Sequence, residues 1–506
     1  MMDEELIFGP PGCGKTYTLI DIVKEELGRG TPPDKIAFVS FSKKSIEEAK
    51  DRISEQTKLS LKDVPWFKTL HSTGYNWLGL NDSNMLTRAD FTKLGEELGV
   101  IFDGNTARSN SDGVLLQSFN KGNQYLELIG RAAMREVSLD DEYNDNGDYQ
   151  LSYSFLKKVN KVYKEYKKEY DKRDFTDMIQ DFVYQGTAPS IDVLIVDEAQ
   201  DLTKLQWSMI DVLKQSAKRV WYAGDDDQAI HAWNGVDVKN FMNSCSNIRI
   251  LDQSYRVPMS VHSIADKIVK RIDVRQKKEW NPTTREGLVD YHMNWYDVDI
   301  DEGSWTIMAR TNKIVSKIET NLRDNGYLYE RFGQVSFNNE YTQFIKMWED
   351  LREDKSIALD MIKQFYGFVP KQGKNQVVKR GSAKTLDYLD PQSSLTYNEL
   401  VANHGLVAPK SMRSEDVVNM SEDDQTYRAA ILRRGEDLDK PRIKLSTIHQ
   451  MKGGEDDNVI LLSESCYPAV NAPNQDDEHR VFYTGVTRAK HNLHIVDSFG
   501  KYRYTI

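Results

Sequence analysis

Gly9-Pro10-Pro11-Gly12-Cys13-Gly14-Lys15-Thr16 stands between a short apolar run, Leu6-Ile7-Phe8, and a helical pattern from Thr18 to Glu26. The string fits G-x-x-x-x-G-K-[ST] in a strand–loop–helix setting. Gly9, Gly12 and Gly14 let the backbone fold around phosphate oxygens, so that successive N–H groups and the helix N-terminus point at them. Lys15 then reaches the β/γ-phosphates of a nucleotide, and Thr16 offers an oxygen to Mg²⁺. The plain alternative is a glycine turn with an exposed lysine, and the flanking strand and helix argue against it.

A second string supplies what the first lacks. Val193-Leu194-Ile195-Val196 reads as a buried strand, with Asp197 and Glu198 at its C-terminal end, where parallel sheets bind ligands. Asp197 is the expected partner of Thr16 at Mg²⁺, and Glu198 the group that polarises the attacking water.

Working outward, Ile36 to Phe41, Val220 to Ala223 and Ile248 to Leu251 read as further strands of one sheet. Thr306 to Ala309, Ile443 to Ser446, Val459 to Leu462 and Leu493 to Val496 suggest a second sheet of the same kind. Strands alternating with helices imply an α/β fold with parallel sheets. Two stretches interrupt the pattern. Residues 81–170 contain a loop-like run from Gly104 to Gly113, an acidic patch from Asp140 to Asp148 and a Lys-rich segment from Lys157 to Arg173. In that segment Val159, Val162, Tyr166 and Tyr170 recur at helical spacing. This reads as an amphipathic helix with a solvated basic face, or as a face that touches DNA. Residues 353–440 form the second interruption and carry no assignable motif.

A chain of 506 residues is too long for one core, so several domains are expected. Its 39% hydrophobic and 29% charged residues read as globular. No apolar run approaches the roughly 20 residues of a membrane span. The acidic start, Met1-Met2-Asp3-Glu4-Glu5, lacks the features of a signal peptide. Cys13, Cys245 and Cys466 are too few and scattered for a disulfide framework or a zinc site, which points to a reducing cytosol. The net charge of −11 argues against a nucleic-acid partner, but DNA binding needs only a local basic track, and the motifs weigh more.

Asp197-Glu198-Ala199-Gln200-Asp201 resembles the Walker B signature of UvrD/Rep-type superfamily 1 DNA helicases, and the likeness continues in order. Phe38 to Lys44 resembles motif Ia, and Thr69-Leu70-His71-Ser72 resembles motif Ib. Gly224 to Trp233 is similar to motif III, and Gln253-Ser254-Tyr255-Arg256 to motif IV. Leu445 to Glu455 is similar to motif V, and Tyr483 to Ala489 to motif VI.

The resemblance implies two RecA-like P-loop motor domains, each with a mainly helical or mixed insert. The expected division is 1–80 with 171–256 for the first motor, 257–352 with 441–506 for the second, and 81–170 and 353–440 for the inserts. It implies ATP bound between the motors, with Gln228, Arg256 and the arginine finger Arg488 approaching the γ-phosphate and Glu455 at the ribose. For a DNA track it points to Phe41, His71, His231, Trp233 and His449, with Lys43 or Lys44 near phosphates. Trp233 also has a core reading. The implied activity is 3′-to-5′ ATP-driven movement on single-stranded DNA and unwinding of duplexes with a single-stranded tail. Replication or repair proteins are the expected further partners, a monomer the expected state, and the cytosol of a bacterium or phage-infected cell the expected compartment. The small inserts suit an accessory or phage-type enzyme.

The sequence departs from the family pattern at His231, where Tyr is common, at Asn234, where Arg is common, and at Tyr17, where Arg is usual. The P-loop begins so early that no adenine-reading Gln segment is expected before it. Tyr17 and Tyr255 are then left to stack on any purine base. Cys13, at a helix N-terminus, stands where a thiol's pKa is lowered, or is simply a small side chain that the loop tolerates. Three other readings compete. A helicase–nuclease subunit would need a nuclease domain after Arg488, a GTPase would need an Asp that Asn312-Lys313-Ile314-Val315 lacks, and a DNA-binding scaffold would use ATP only as an affinity switch.

Overall fold

A computed structural model describes residues 3–102, 120–146, 151–472, 474–497 and 500–506. Met1, Met2, the Gly104–Gly113 run and the end of the Asp140–Asp148 patch lie outside the described residues.

The chain forms two compact units. Unit 1 comprises Met1–Val289, Tyr467–Leu493 and Tyr504–Ile506; unit 2 comprises Asp290–Cys466 and His494–Arg503. In unit 1, six strands lie in chain order: β1 (Asp3–Phe8), β2 (Ile36–Ser40), β3 (Phe67–Thr69), β4 (Val193–Asp197), β5 (Arg219–Gly224) and β6 (Ile248–Ile250). They make one sheet in the order β3-β2-β4-β5-β1-β6, and every pairing is parallel. Its central strands read as unbroken apolar runs because both faces are covered, one by Leu6, Phe8, Leu194, Val196 and Tyr222, the other by Ile7, Phe38, Ile195 and Ala223. The register places Phe8 beside Gly224, and Ser40 beside Asp197. The P-loop, the Walker B acids, motif III and motif Ia therefore leave the same edge of the sheet.

The second sheet is built from β7 (Leu288–His292), β8 (Trp305–Ala309), β9 (Tyr329–Arg331) and β10 (Gln334–Val335), and later strands complete it. Beyond a small antiparallel pair, β11 (Ile357–Ala358) and β12 (Ser394–Leu395), come β13 (Ile443–Thr447), β14 (Asp456–Leu462) and β15 (Ala489–Val496). The order is β10-β9-β13-β8-β14-β15-β7. All nine strands expected from the sequence are present; β3, β7 and β9 to β12 were too short or too polar to announce themselves.

The inserts have cores of their own. In the first, helices Arg88–Leu98, Lys121–Met134 and Tyr153–Glu169 bury Phe91, Leu126, Leu156, Val159, Tyr163 and Tyr166 together. The amphipathic reading of the Lys-rich segment is correct, but its apolar face is rotated: Tyr163 is buried, whereas Tyr170 is 50% exposed. Lys167 lies 2.8 Å from Asp174 and 2.7 Å from Asp177, and Arg173 lies 2.6 Å from Asp181, so part of the basic run is neutralised internally. The second insert's core already includes Phe337, Phe344 and Trp348, so helix Asn339–Arg352 packs with it and the expected boundary at 353 falls too late.

The unit boundaries also differ from the expected division. Residues 257–289 and the motif VI helix, Asp476–Val486, cluster with the P-loop sheet. Helix Met259–Val269 packs on helix Asp476–Val486, and Asp476 accepts the N–H groups of Asp273 and Val274 at 2.9 Å each. Arg488, expected on the second motor as its arginine finger, is thus carried by unit 1. Among the described residues no helix is long and apolar enough to cross a membrane.

Candidate ATP site

Gly12 and Gly14 adopt left-handed backbone, with φ of 72° and 79°, which admits glycine without strain. At Gly12 a Cβ would stand 2.4 Å from the Arg256 Cβ, because motif IV is laid directly on the P-loop. Tyr255 N–H donates to the Gly12 carbonyl at 2.8 Å, and the Ser254 hydroxyl donates to the Pro11 carbonyl at 2.8 Å. Arg256 is thereby held beside the glycine-rich loop. Gly9 is close-packed too: Lys15 Nζ donates to its carbonyl at 3.0 Å.

Withdrawal from solvent would by itself weaken the charge of Lys15. The carboxylates of Glu198, Asp225 and Asp197 outweigh that and hold its pKa above the ordinary lysine value. Asp197 is fully buried, and burial followed by the nearby Glu198 pushes its pKa up to about 7. Thr16 Oγ1 is 3.5 Å from Asp197 Oδ2. Two hard oxygen donors face each other at the sheet edge, a donor set that fits Mg²⁺. Glu198, at φ 52°, turns the chain sharply out of β4, and its Oε2 accepts from Gln200 Nε2 at 2.5 Å.

Motif III closes this network. Gln200 Oε1 accepts the Asp225 N–H at 3.1 Å, and Asp225 Oδ2 accepts Gln228 Nε2 at 2.6 Å. Gln228 Oε1 accepts Arg488 Nη2 at 2.6 Å, and Arg488 Nε donates to the Thr484 carbonyl at 2.9 Å. Arg488 is 2% exposed, so this is no surface ion pair. Lys15, Thr16, Asp197, Glu198, Gln228, Arg256 and Arg488 are all brought into unit 1.

Three basic residues of this network carry no motif signal. Lys278 Nζ lies 3.0, 2.5 and 2.6 Å from carboxylate oxygens of Asp225, Asp226 and Asp227, with every side chain wholly buried. Arg275 pairs with Asp227 at 2.6 Å, and Arg480 donates to the Asp226 carbonyl at 2.9 Å. The three aspartates have the spacing of a cation site, and the Lys278 ammonium fills it. Glu455 and His449 belong to unit 2.

The ring contacts of the expected DNA track are only partly exposed. Phe41 and His231 are buried with ring centres 5.9 Å apart, and Trp233 lies 6.4 Å beyond His231. Trp233 is 41% exposed, which removes its core reading. His71 packs against Phe175 at 5.9 Å instead, and burial brings its pKa down to about 4. Lys43 and Lys44 are exposed at the start of helix Lys43–Gln56. Tyr17 and Tyr255 are 51% and 73% exposed, as base-stacking rings need to be. Of the two readings of Cys13, the lowered pKa is overturned: its thiol is buried, and burial pushes its pKa up rather than down, which leaves the small, tolerated side chain.

Comparison with known proteins agrees with the motif reading. The model of the UvrD/REP helicase N-terminal domain matches residues 2–248, and that of the UvrD-like helicase C-terminal domain matches 419–498. The ATP-dependent DNA helicase PcrA of Staphylococcus aureus is 24% identical over 315 residues, 57% of this chain and 41% of that protein. PcrA of Staphylococcus epidermidis is 20% identical over 612 aligned positions, covering 97% of this chain and 81% of that one. A solved arterivirus nonstructural protein 10 (helicase) covers 98% of this chain and 59% of its own, at 10% identity and a TM-score of 0.35, too slight a likeness to argue from. With both family models matched in order and the P-loop, Walker B and motif III side chains joined in one network, the chain belongs to the UvrD/Rep family of superfamily 1 helicases.

Proposed function

We propose that this protein is an ATP-dependent DNA helicase that translocates 3′ to 5′ along single-stranded DNA and separates tailed duplexes. The observation that carries most weight is the 2.6 Å bond from Arg488 to Gln228, which joins motif VI to motif III across 260 positions of sequence. In this reading Lys15 binds the β/γ-phosphates of ATP, and Glu198 orients a water and takes its proton at the carboxylate. Gln228 aligns that water, while Arg256 and Arg488 offset the charge that develops on the γ-phosphoryl oxygens. Mg²⁺, held by Thr16 and Asp197, would screen the phosphate charge. Trp233, supported by His231 and Phe41, would stack on successive bases irrespective of sequence.

Hydrolysis is then expected to be slow alone and strongly stimulated by single-stranded DNA. Strand displacement with 3′-tailed and 5′-tailed duplexes tests the whole reading. Unwinding of the 3′-tailed duplex alone supports it. DNA-stimulated hydrolysis without unwinding of either would instead make the protein an ATP-controlled DNA-binding switch.

A further inference from the structure

Outside the ATP site, one cluster of ligating side chains has the geometry of a built site. β7 and β15 are neighbours in the second sheet, and Asp497 N–H donates to the His292 carbonyl at 2.9 Å. On these two strands Asp290, His292 and His494 turn toward one another, all three in unit 2. His292 Nε2 is 3.0 Å from His494 Nδ1, and Asp290 Oδ2 is 3.5 Å from His292 Nε2. All three ligand atoms fall within 4.8 Å of one another.

These separations have a meaning. Ligand bonds of about 2.0–2.1 Å meeting at tetrahedral angles put neighbouring donor atoms roughly 3.3 Å apart. The observed edges lie on either side of that value. The donor set, two imidazoles and one carboxylate, is one that borderline transition ions prefer and that Mg²⁺ and Ca²⁺ do not. The surroundings also fix the ligands. Asp290 Oδ1 accepts the Tyr291 N–H at 2.9 Å, which leaves Oδ2 to face the histidines. His494 is 9% exposed and packs on Trp305, with ring centres 5.4 Å apart, so its ring is held by the core rather than free to rotate.

We propose that Asp290, His292 and His494 form a binding site for a divalent transition ion of the zinc class, bridging β7 and β15. His292 coordinates through Nε2 and His494 through Nδ1, so each ring carries its proton on the opposite nitrogen. Bound there, the ion ties β7, the terminal strand of the sheet, to β15. The site is separate from the ATP chemistry and stands or falls without it.

The test uses the full chain, stripped with chelator and dialysed, with Zn²⁺ and Co²⁺ themselves as probes. Calorimetry with Zn²⁺ in the presence of millimolar Mg²⁺ should show one site. Co²⁺ should give the visible absorption of a low-coordinate N/O site. Zn²⁺ should also raise Tm. His292→Gln and His494→Gln, which keep polarity and approximate size, should each weaken Zn²⁺ binding by 10-fold or more and abolish the Co²⁺ spectrum and the Tm rise. Asp290→Asn should weaken it less. Thr16→Ala, at the other expected metal position, should leave the Co²⁺ spectrum intact. Unaltered Zn²⁺ affinity in both histidine variants would overturn the assignment. So would no uptake by the wild-type chain at 100 µM Zn²⁺, which would leave only a hydrogen-bonded histidine pair.

Discussion

Replacing Lys278 with Met removes the ammonium that bridges Asp225, Asp226 and Asp227 while keeping much of the side-chain volume. The consequences follow from which carboxylates keep a partner. Asp227 retains Arg275 at 2.6 Å; Asp226 retains the Gln276 N–H at 2.7 Å; Asp225 retains Gln228 at 2.6 Å. Asp225 and Asp226 therefore lose the ammonium at their carboxylates within a region of no solvent exposure. Breaking a buried ion pair from one side costs about 3–5 kcal/mol, because it leaves a buried charge without its counter-charge. The loss should stay near that figure rather than double it, since the cluster can bind a proton. Asp226 is poised to do so: burial, with its two acidic neighbours, already pushes its pKa up to about 6.

The variant should thus be destabilised by about 3–5 kcal/mol at pH 8 and by much less near pH 5, where a proton replaces the lost ammonium. Urea unfolding of the wild type and of Lys278→Met at both pH values measures this. Adding Asp226→Asn to the variant should recover part of the loss at pH 8. ATP turnover should fall as well, because Asp225 holds the Gln228 amide. A deficit under about 1 kcal/mol at pH 8, or one that does not change with pH, would refute the electrostatic account of this cluster.

Lys15→Ala and Glu198→Gln should both abolish ATP turnover, but only the first should lose nucleotide binding; equilibrium titration with a fluorescent ATP analogue separates them. Arg488→Ala should lower kcat by on the order of 10³, as arginine fingers do, and a loss of a few-fold would make its role structural. Trp233→Ala should weaken single-strand binding by about 1–3 kcal/mol while leaving Tm nearly unchanged, since the ring is 41% exposed. His71 has a pKa near 4 in the fold against an ordinary 6.5, so it charges more readily in the unfolded chain. Its contribution is complete above pH 6.5 and is lost as pH falls to 4, by about 3 kcal/mol at 1.36 kcal/mol per unit. The pH dependence of urea midpoints should flatten in His71→Leu.

The parts legible in the sequence are those whose chemistry is local. A phosphate loop needs its glycines and lysine within eight consecutive positions, and a buried parallel strand needs an unbroken apolar run such as Val193 to Val196. Lys278 has neither kind of signal. It stands in Arg275-Gln276-Lys277-Lys278, which reads as a solvated basic turn, and only the fold carries it to three aspartates about fifty positions earlier. The aspartates themselves were legible as motif III, but not the fact that all three are buried and must be balanced. Cys13 failed for a related reason. Its local position beside helix N–H groups argues for a lowered pKa, whereas the packing that covers it decides the sign. The insert boundary at 353 failed because helix Asn339–Arg352 shows no change of composition at the point where its partners change.

The same network explains why a single arginine should be worth so much. A guanidinium brought to a transition state from solvent must give up rotamer freedom and its hydration at the moment of reaction. Arg488 has given up both already: it is 2% exposed, with Nε fixed on the Thr484 carbonyl and Nη2 on Gln228. Gln228 is fixed in turn, because Asp225 takes its amide N–H and so leaves its carbonyl oxygen to face the arginine. Asp225 can hold that role as a carboxylate because Lys278 stands 3.0 Å away and lowers its pKa against the opposing pull of burial. Each link spends its reorganisation at folding rather than at catalysis, which is the condition under which a charge in a dry site stabilises developing charge most strongly. Lys278 and Arg488 should therefore be energetically coupled although they never touch. In a double-mutant cycle on kcat, Arg488→Ala should cost much less in a Lys278→Met background than in the wild type.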